Sequence, residues 1–226
     1  MNQPLIVFDM DGVLVDVTES YRETIAQTVK HFTGVELTRE EIQEYKNQGG
    51  WNDDWQLTHH IIKIAGQEIP FETARDYFQS IFLGNGEGGL ILREAWVARP
   101  GLLEDLSRRF QLAVFTGRPK DEAELTLRRF AGGVVFHPVI GMFDVENRKP
   151  HPEGLLRILK ANPGRTVYYI GDTVDDARCA RAAGVAFIGI AAPSNPSYLD
   201  LVFLFQEEGA YAIIDDINIL PEVFAA

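Results

Sequence analysis

The chain has 226 residues, 46% of them hydrophobic, enough for one large domain or for a domain carrying a substantial insertion. Its formal charge of −12 argues against a nucleic acid or an anionic membrane surface as partner, and an anionic substrate would need cations gathered locally. No apolar run is long enough to span a bilayer, no basic stretch precedes an apolar one at the N-terminus, and the single cysteine, Cys179, excludes an internal disulfide and a cysteine-rich zinc site; a soluble, cytoplasmic protein is expected.

The first predicted element is a strand. Leu5-Ile6-Val7-Phe8 is an unbroken apolar run with strand-preferring residues, the pattern of a buried parallel strand. Asp9, Asp11 and Gly12 follow where that strand should end. Open α/β sheets bind ligands at the carboxyl ends of their strands. Side chains alternate along an extended segment, so two Asp at spacing two can face one side. Like charges that close require a cation or a raised pKa. The plainer reading of Asp-Gly after a strand is a turn.

After Asp16 the period changes to that of helices. Tyr21, Ile25, Val29 and Phe32 share one face, and Gly34 is placed to end the helix. Thr38-Arg39-Glu40-Glu41 is a capping-box sequence opening a second helix that ends near Gly49-Gly50. Asn52 is expected to cap a third helix with Leu57, Ile61 and Ile64, closed by Gly66. Pro70 precedes a fourth with Phe71, Ala74, Phe78 and Ile81 on one face. Four amphipathic helices with short connections predict a small bundle. Gly84-Asn85-Gly86-Glu87-Gly88-Gly89 could cradle a phosphate, but Glu87 lies among the glycines, no Lys follows and no strand precedes, so a loop is expected.

From Arg99 onward strands and helices alternate. Helices are predicted over Leu102–Arg109, from Pro119 to about Phe130, from Pro152 through Ile158, from the acidic run at Asp172 to Gly184, and over Leu199–Glu208. Strands are predicted over Gln111–Phe115, Val134–Ile140, Thr166–Ile170, Ala186–Ala191 and Ala212–Ile214. Pro138 places the second of these near a sheet edge. The alternation predicts an α/β fold with a doubly wound parallel sheet. Its core spans residues 1–16 and 98–226, with an all-helical insertion over residues 17–97.

Asp9-Met10-Asp11-Gly12-Val13 resembles the first motif of the haloacid dehalogenase superfamily, whose members are mainly Mg2+-dependent phosphatases. Three further short motifs occur in family order and spacing: Thr116, Lys149 before Pro150, and Asp172 with Asp175 and Asp176. Taken singly, Thr116-Gly117 reads as a turn, Lys149 as a solvated charge, and the acidic run as a helix N-terminus that favours negative side chains. Together they make the chain similar to the subfamily whose Rossmann-like core carries a helical cap, here residues 17–97. The resemblance implies a phosphatase acting on a small phosphorylated metabolite. Asp9 would be the nucleophile that forms an aspartyl-phosphate, and Asp11 the general acid/base. Mg2+ would be held by Asp9 and Asp172 side chains and the Asp11 carbonyl, with Asp176 holding metal waters and Asp175 the weaker candidate for that task. Thr116 and the Gly117 N–H would bind phosphoryl oxygens, and Lys149 would neutralise nucleophile and phosphate. Arg118 either touches phosphate or caps a helix. His59, His60 and His151 have no motif around them and are expected at the surface or in the core.

Several alternatives remain at this point. A metal-free dehalogenase lacks an acid two residues after the nucleophile, and Asp11 is present. A phosphomutase of the same family is the main rival, and a receiver-type phospho-switch is less so, because it carries no inserted helical cap. A monomer or homodimer is expected. Residues 17–97 hold 13 Asp and Glu against 7 Lys and Arg, a net −6. Trp51 and Asn52, in a Gly-Gly-Trp-Asn-Asp-Asp loop, are candidates for substrate binding. If the loop reaches the site, this composition predicts a neutral or cationic, partly planar leaving group, with histidinol phosphate as one candidate.

Overall fold

In a computed structural model of the protein, which describes residues 3–84 and 88–225, Leu5–Phe8 forms strand β1 with all four side chains buried. The chain then runs through β2 (Val15–Asp16), helices α1 (Tyr21–Thr33), α2 (Arg39–Gln48), α3 (Asp54–Ile64) and α4 (Phe71–Leu83), and β3 (Ala95–Trp96). It continues with α5 (Leu102–Arg109), β4 (Gln111–Phe115), α6 (Lys120–Ala131), β5 (Phe136–Ile140) and α7 (Glu153–Ala161). The remainder comprises β6 (Val167–Gly171), α8 (Val174–Ala183), β7 (Ala186–Ile190), α9 (Tyr198–Glu207), β8 (Ala212–Ile214) and α10 (Leu220–Val223). The chain forms two compact units, Met1–Val15 with Trp96–Ala226, and Asp16–Ala95. No helix of the described residues is long and apolar enough to cross a membrane.

The first unit holds a six-stranded parallel sheet in the order β5-β4-β1-β6-β7-β8. This is the doubly wound α/β core that the alternation of elements predicts. β1 lies between β4 and β6, with Phe8 level with Val114 on one side and Ile170 on the other. A strand paired along both edges and buried on both faces has no room for polar side chains, which is why β1 reads as a continuous apolar run. The core extends through Phe115, Tyr169, Phe187 and Phe205. Phe187 and Phe205 meet edge to face at 5.2 Å, an arrangement worth about 0.5–1.5 kcal/mol beyond burial. β5 is an edge strand, as Pro138 requires, but it begins at Phe136: Val135, expected inside it, is 79% exposed.

The second unit is helical. Tyr21 of α1 packs on Phe82 and Phe78 of α4, with ring centroids 4.0 and 5.9 Å apart. Gly34 takes the left-handed conformation that ends α1, and Thr38 with Glu41 completes the capping box of α2. The cap of α3 is a correction: Asp53, not Asn52, accepts the N–H groups of Trp55 and Gln56 at 3.0 and 3.2 Å. Both residue types suit an N-cap, and the sequence offered them side by side. Ala65, one residue earlier than expected, is the C-cap. Of the glycine-rich stretch expected to be a loop, residues 85–87 lie outside the described residues. A short 3-10 turn over Leu90–Arg93 follows, too brief for periodicity to reveal.

Candidate active site

Four neighbouring strands of the parallel sheet deliver the motif residues to one edge. The Asp9 N–H donates to Ile170 O at 2.8 Å, and the Thr116 N–H donates to Ile140 O at 3.0 Å, so each residue prolongs its ladder by one step. Asp172 directly follows β6, and Lys149 lies in the connection after β5. Beyond Asp9 the chain turns sharply. The Met10 carbonyl accepts N–H groups of Leu14 and Val15 at 2.9 and 3.0 Å, and the Gly12 N–H donates to Val15 O at 2.8 Å. Gly12 sits at φ +74°, and a Cβ there would fall 1.8 Å from Asp172 Oδ2. Glycine is therefore required twice, for backbone conformation and for the approach of the Asp172 carboxylate.

Lys149 is the hub. Its Nζ donates to Asp9 Oδ1 at 2.7 Å and to Asp176 Oδ1 at 2.8 Å, and the three side chains are 2%, 7% and 0% exposed. It lies over the rings of Phe115 and Tyr169, 5.0 and 5.3 Å from their centroids. Asp176 is saturated. Its Oδ1 also accepts from Tyr169 Oη at 2.7 Å, and its Oδ2 accepts from Thr173 Oγ1 at 2.6 Å and Thr173 N at 3.1 Å. Those four donors use the capacity of one carboxylate. Asp176 thereby closes a capping box at the start of α8 while holding the lysine.

The electrostatics follow from those donors. Burial pushes the Asp9 carboxyl up to about 7; Lys149 opposes the push, and Asp176 and Asp11 add to it. Asp176 moves the other way. Burial would raise it, but Lys149, Thr173 and Tyr169 hold it below the usual carboxylate range. Both carboxylates share one ammonium, and the difference is that Asp176 has further donors. Lys149 stays charged: burial would lower it, and Asp176 and Asp9 outweigh that. Burial also raises the Tyr169 hydroxyl well above its ordinary value, so it remains a donor. Cys179, fully buried, is pushed up to about 12 by burial and is no nucleophile at neutral pH.

Asp9, Asp172 and Asp176 each offer a carboxylate oxygen within 4.8 Å of the others, a group that could hold a metal ion. The donor set is oxygen only, and Gly12 leaves room for the Asp172 carboxylate beside the turn after β1. Three carboxylates, Asp9, Asp172 and Asp176, gather there around the single ammonium of Lys149. The residues present thus fit a hard divalent cation.

Other predicted residues lie as follows. Thr116 is 1% exposed, and its Oγ1 accepts the Arg118 N–H at 3.2 Å across Gly117. Arg118, expected on a phosphate or a helix cap, is paired with Asp11. Asp175 is 2% exposed. His59 contacts the Ile69 carbonyl at 2.9 Å, and His151 Nδ1 accepts the Glu153 N–H at 3.2 Å. In the helical unit Trp51 and Asn52 are half-buried, and Trp51 packs on His60 and Tyr45 with ring centroids 4.4 and 6.1 Å away. Sequence reasoning missed Tyr169 and Thr173. The signal for Tyr169 was a phenol in a buried strand, whose hydroxyl must find a partner.

The haloacid dehalogenase-like hydrolase profile matches residues 6–190. An imidazoleglycerol-phosphate dehydratase of Phytophthora nicotianae is 36% identical over 84% of this chain, which spans only 44% of that relative's length. A phosphoglycolate phosphatase of Rhodobacter capsulatus is 24% identical, with 82% of this chain and 83% of that protein covered. The solved phosphatase Tt82 of Thermococcus thioreducens is 26% identical with a TM-score of 0.63, over 90% of this chain and 98% of that one. With the family profile running from within β1 to the end of β7 and taking in every motif residue above, the chain belongs to the haloacid dehalogenase-like hydrolases.

Proposed function

We propose that this hydrolase is a Mg2+-dependent phosphatase that cleaves a small phosphorylated metabolite in two steps through Asp9. The observation that carries the reading is the convergence of Asp9 and Asp172, at the ends of neighbouring strands, with Lys149 from the connection after β5 and with Asp11 two residues beyond Asp9. Asp9 attacks phosphorus while Lys149, fixed by Asp176, offsets the negative charge that accumulates between carboxylate and phosphoryl group. Thr116 Oγ and the Gly117 N–H orient phosphoryl oxygens. Asp11 supplies the proton to the departing oxygen and then removes one from the attacking water. Asp9, Asp172 and the Asp11 carbonyl would hold Mg2+. Bound there, it would keep Asp9 ionised and polarise the phosphoryl group. The four donors on Asp176 support a role in fixing Lys149 and nearby water rather than direct ligation.

We assign the helical unit the part of a cap that selects the leaving group, with Trp51 and Asn52 as substrate-binding residues. Its acidic character is less available than composition suggests. Lys46 pairs with Asp54 at 2.5 Å, and Asp53 is engaged at the N-cap. The aromatic Trp51–His60–Tyr45 cluster supports a planar leaving group, and the relative named for an imidazole-bearing phosphate supports including histidinol phosphate in a trial.

The test is phosphate release from p-nitrophenyl phosphate and a metabolite panel containing histidinol phosphate and phosphoglycolate, with Mg2+. Asp9→Asn should remain folded and lose at least about 10³-fold in turnover. Turnover retained in Asp9→Asn would refute the covalent route. Isomerised phosphate ester without free phosphate would identify a mutase. Preference for phosphoglycolate would overturn the reading of the leaving group.

A further inference from the structure

Arg118 is a guanidinium only 1% exposed, and a buried charge persists only when its partners are well placed. Its Nε donates to Asp11 Oδ1 at 2.7 Å, and its Nη2 donates to the same oxygen. Its Nη1 donates to Thr126 Oγ1 of α6 at 3.2 Å, and Thr126 is itself buried. Both N–H groups on Asp11 fall on Oδ1, so Oδ2 has no donor among the described residues. The Asp11 side chain is 27% exposed.

We infer that Arg118 is a positioning residue for Asp11: pinned to α6 through Thr126, it holds Oδ1 and leaves Oδ2 as the oxygen that exchanges a proton with leaving group and water. The inference rests on the phosphatase reading. In the first step the bond between Asp9 and phosphorus forms as the bond from phosphorus to the leaving oxygen breaks. The proton on Asp11 Oδ2 moves to that oxygen, releasing the alcohol and leaving Asp11 as carboxylate. In the second, water oxygen attacks phosphorus, one of its protons passes to Oδ2, and the bond from phosphorus to Asp9 breaks. Asp9 returns as carboxylate and inorganic phosphate departs. The terminal torsion of an unrestrained aspartate is broad, so the transfer geometry would be held for only part of the time. Two N–H groups converging on one oxygen from a planar, immobile fork remove that freedom.

A role in proton transfer leaves a signature that phosphate binding and folding do not. A good leaving group departs without a proton, and an alkoxide does not. Arg118→Lys and the shape-conserving Thr126→Val should therefore be compared with the unaltered enzyme on p-nitrophenyl phosphate and on a simple alkyl phosphate. Circular dichroism would verify folding. Arg118→Lys should slow phosphoenzyme formation from the alkyl ester at least about tenfold more than from p-nitrophenyl phosphate, with no rise in KM for either ester. The nitrophenyl ester should now give a burst of p-nitrophenol, because water activation has become limiting. Thr126→Val should shift both readouts in the same direction, less strongly. An equal loss on both esters in the two variants, or a raised KM with kcat retained, overturns the inference and leaves the phosphatase reading standing. Should the unaltered enzyme form no phosphoenzyme from any ester, the reading beneath falls, and the inference with it.

Discussion

Gly12 shows how much one residue can decide. Its φ of +74° costs a side-chain-bearing residue about 1–2 kcal/mol, and the Cβ of alanine would overlap the Asp172 carboxylate. Gly12→Ala is thus expected to displace Asp172 more than to unfold the sheet. The concentration of Mg2+ needed for half-maximal turnover should rise about tenfold or more, with the far-ultraviolet circular dichroism unchanged. Titration of activity with Mg2+ checks this. Asp176 shows the complementary case. It is more valuable for what it orients than for any charge it could offer a ligand, since Lys149, Tyr169 and Thr173 already occupy it.

At the scale of elements, the connection between β5 and α7 must hold Lys149 still, and it is fastened from the helix behind it. Glu153, opening α7, accepts the N–H groups of Glu146 and Asn147 at 3.1 and 2.9 Å, while Arg157 bonds both Glu153 and the Asp144 carbonyl at 2.6 and 2.5 Å. The Glu146 N–H, and then that of Asn147, hold Glu153 down to about 2, from an ordinary 4.5. A depressed folded-state pKa gives stability that is complete above about 4.5 and is lost as pH falls toward about 2. Glu153→Gln should accordingly flatten the acid limb of melting temperature against pH within that window, and a limb of unchanged slope would refute the clamp. Its effect on turnover at neutral pH should be a fall in kcat, as Lys149 loosens.

The same elements show what could be read without coordinates. β1, β4 and α5 were legible to the residue, because burial on both strand faces and a sharp apolar stripe leave strong patterns. Asp9 and Asp172 could be placed at strand ends because each directly follows such a run. The Arg118–Asp11 pair spans 107 positions, and no local pattern encodes it. Nor could spacing separate Asn52 from Asp53 as a cap, or reveal turns as brief as Leu90–Arg93. Long-range pairing is set by strand order, which a linear reading supplies only in outline.

For the whole molecule, a charge of −12 and a buried cluster in which carboxylates outnumber cations make divalent ions a natural stabiliser. An ion bound to the native state at a hundred times its dissociation constant contributes about 2.7 kcal/mol. For a chain of this size that corresponds to a rise of roughly 5–10 °C in the unfolding of the unit that holds the aspartates. Asp172→Asn should abolish most of the Mg2+-induced rise and Asp175→Asn much less. The reverse order in a calorimetric scan would show that the fourth motif is misassigned.

The sheet order has one more consequence, and it concerns synthesis. The middle strand is made first. β1 ends at Phe8, yet its two neighbours begin at Gln111 and Val167. A nascent chain therefore carries its most apolar segment unpaired while the whole helical unit, Asp16–Ala95, is translated and can fold by short-range contacts. Only when β6 leaves the ribosome does β1 gain both edges, and Asp9 and Asp172 meet. Assembly of the site and closure of the sheet's centre are then a single late event, and a truncated product that stops before Val167 would expose Leu5–Phe8 as a ready template for aggregation.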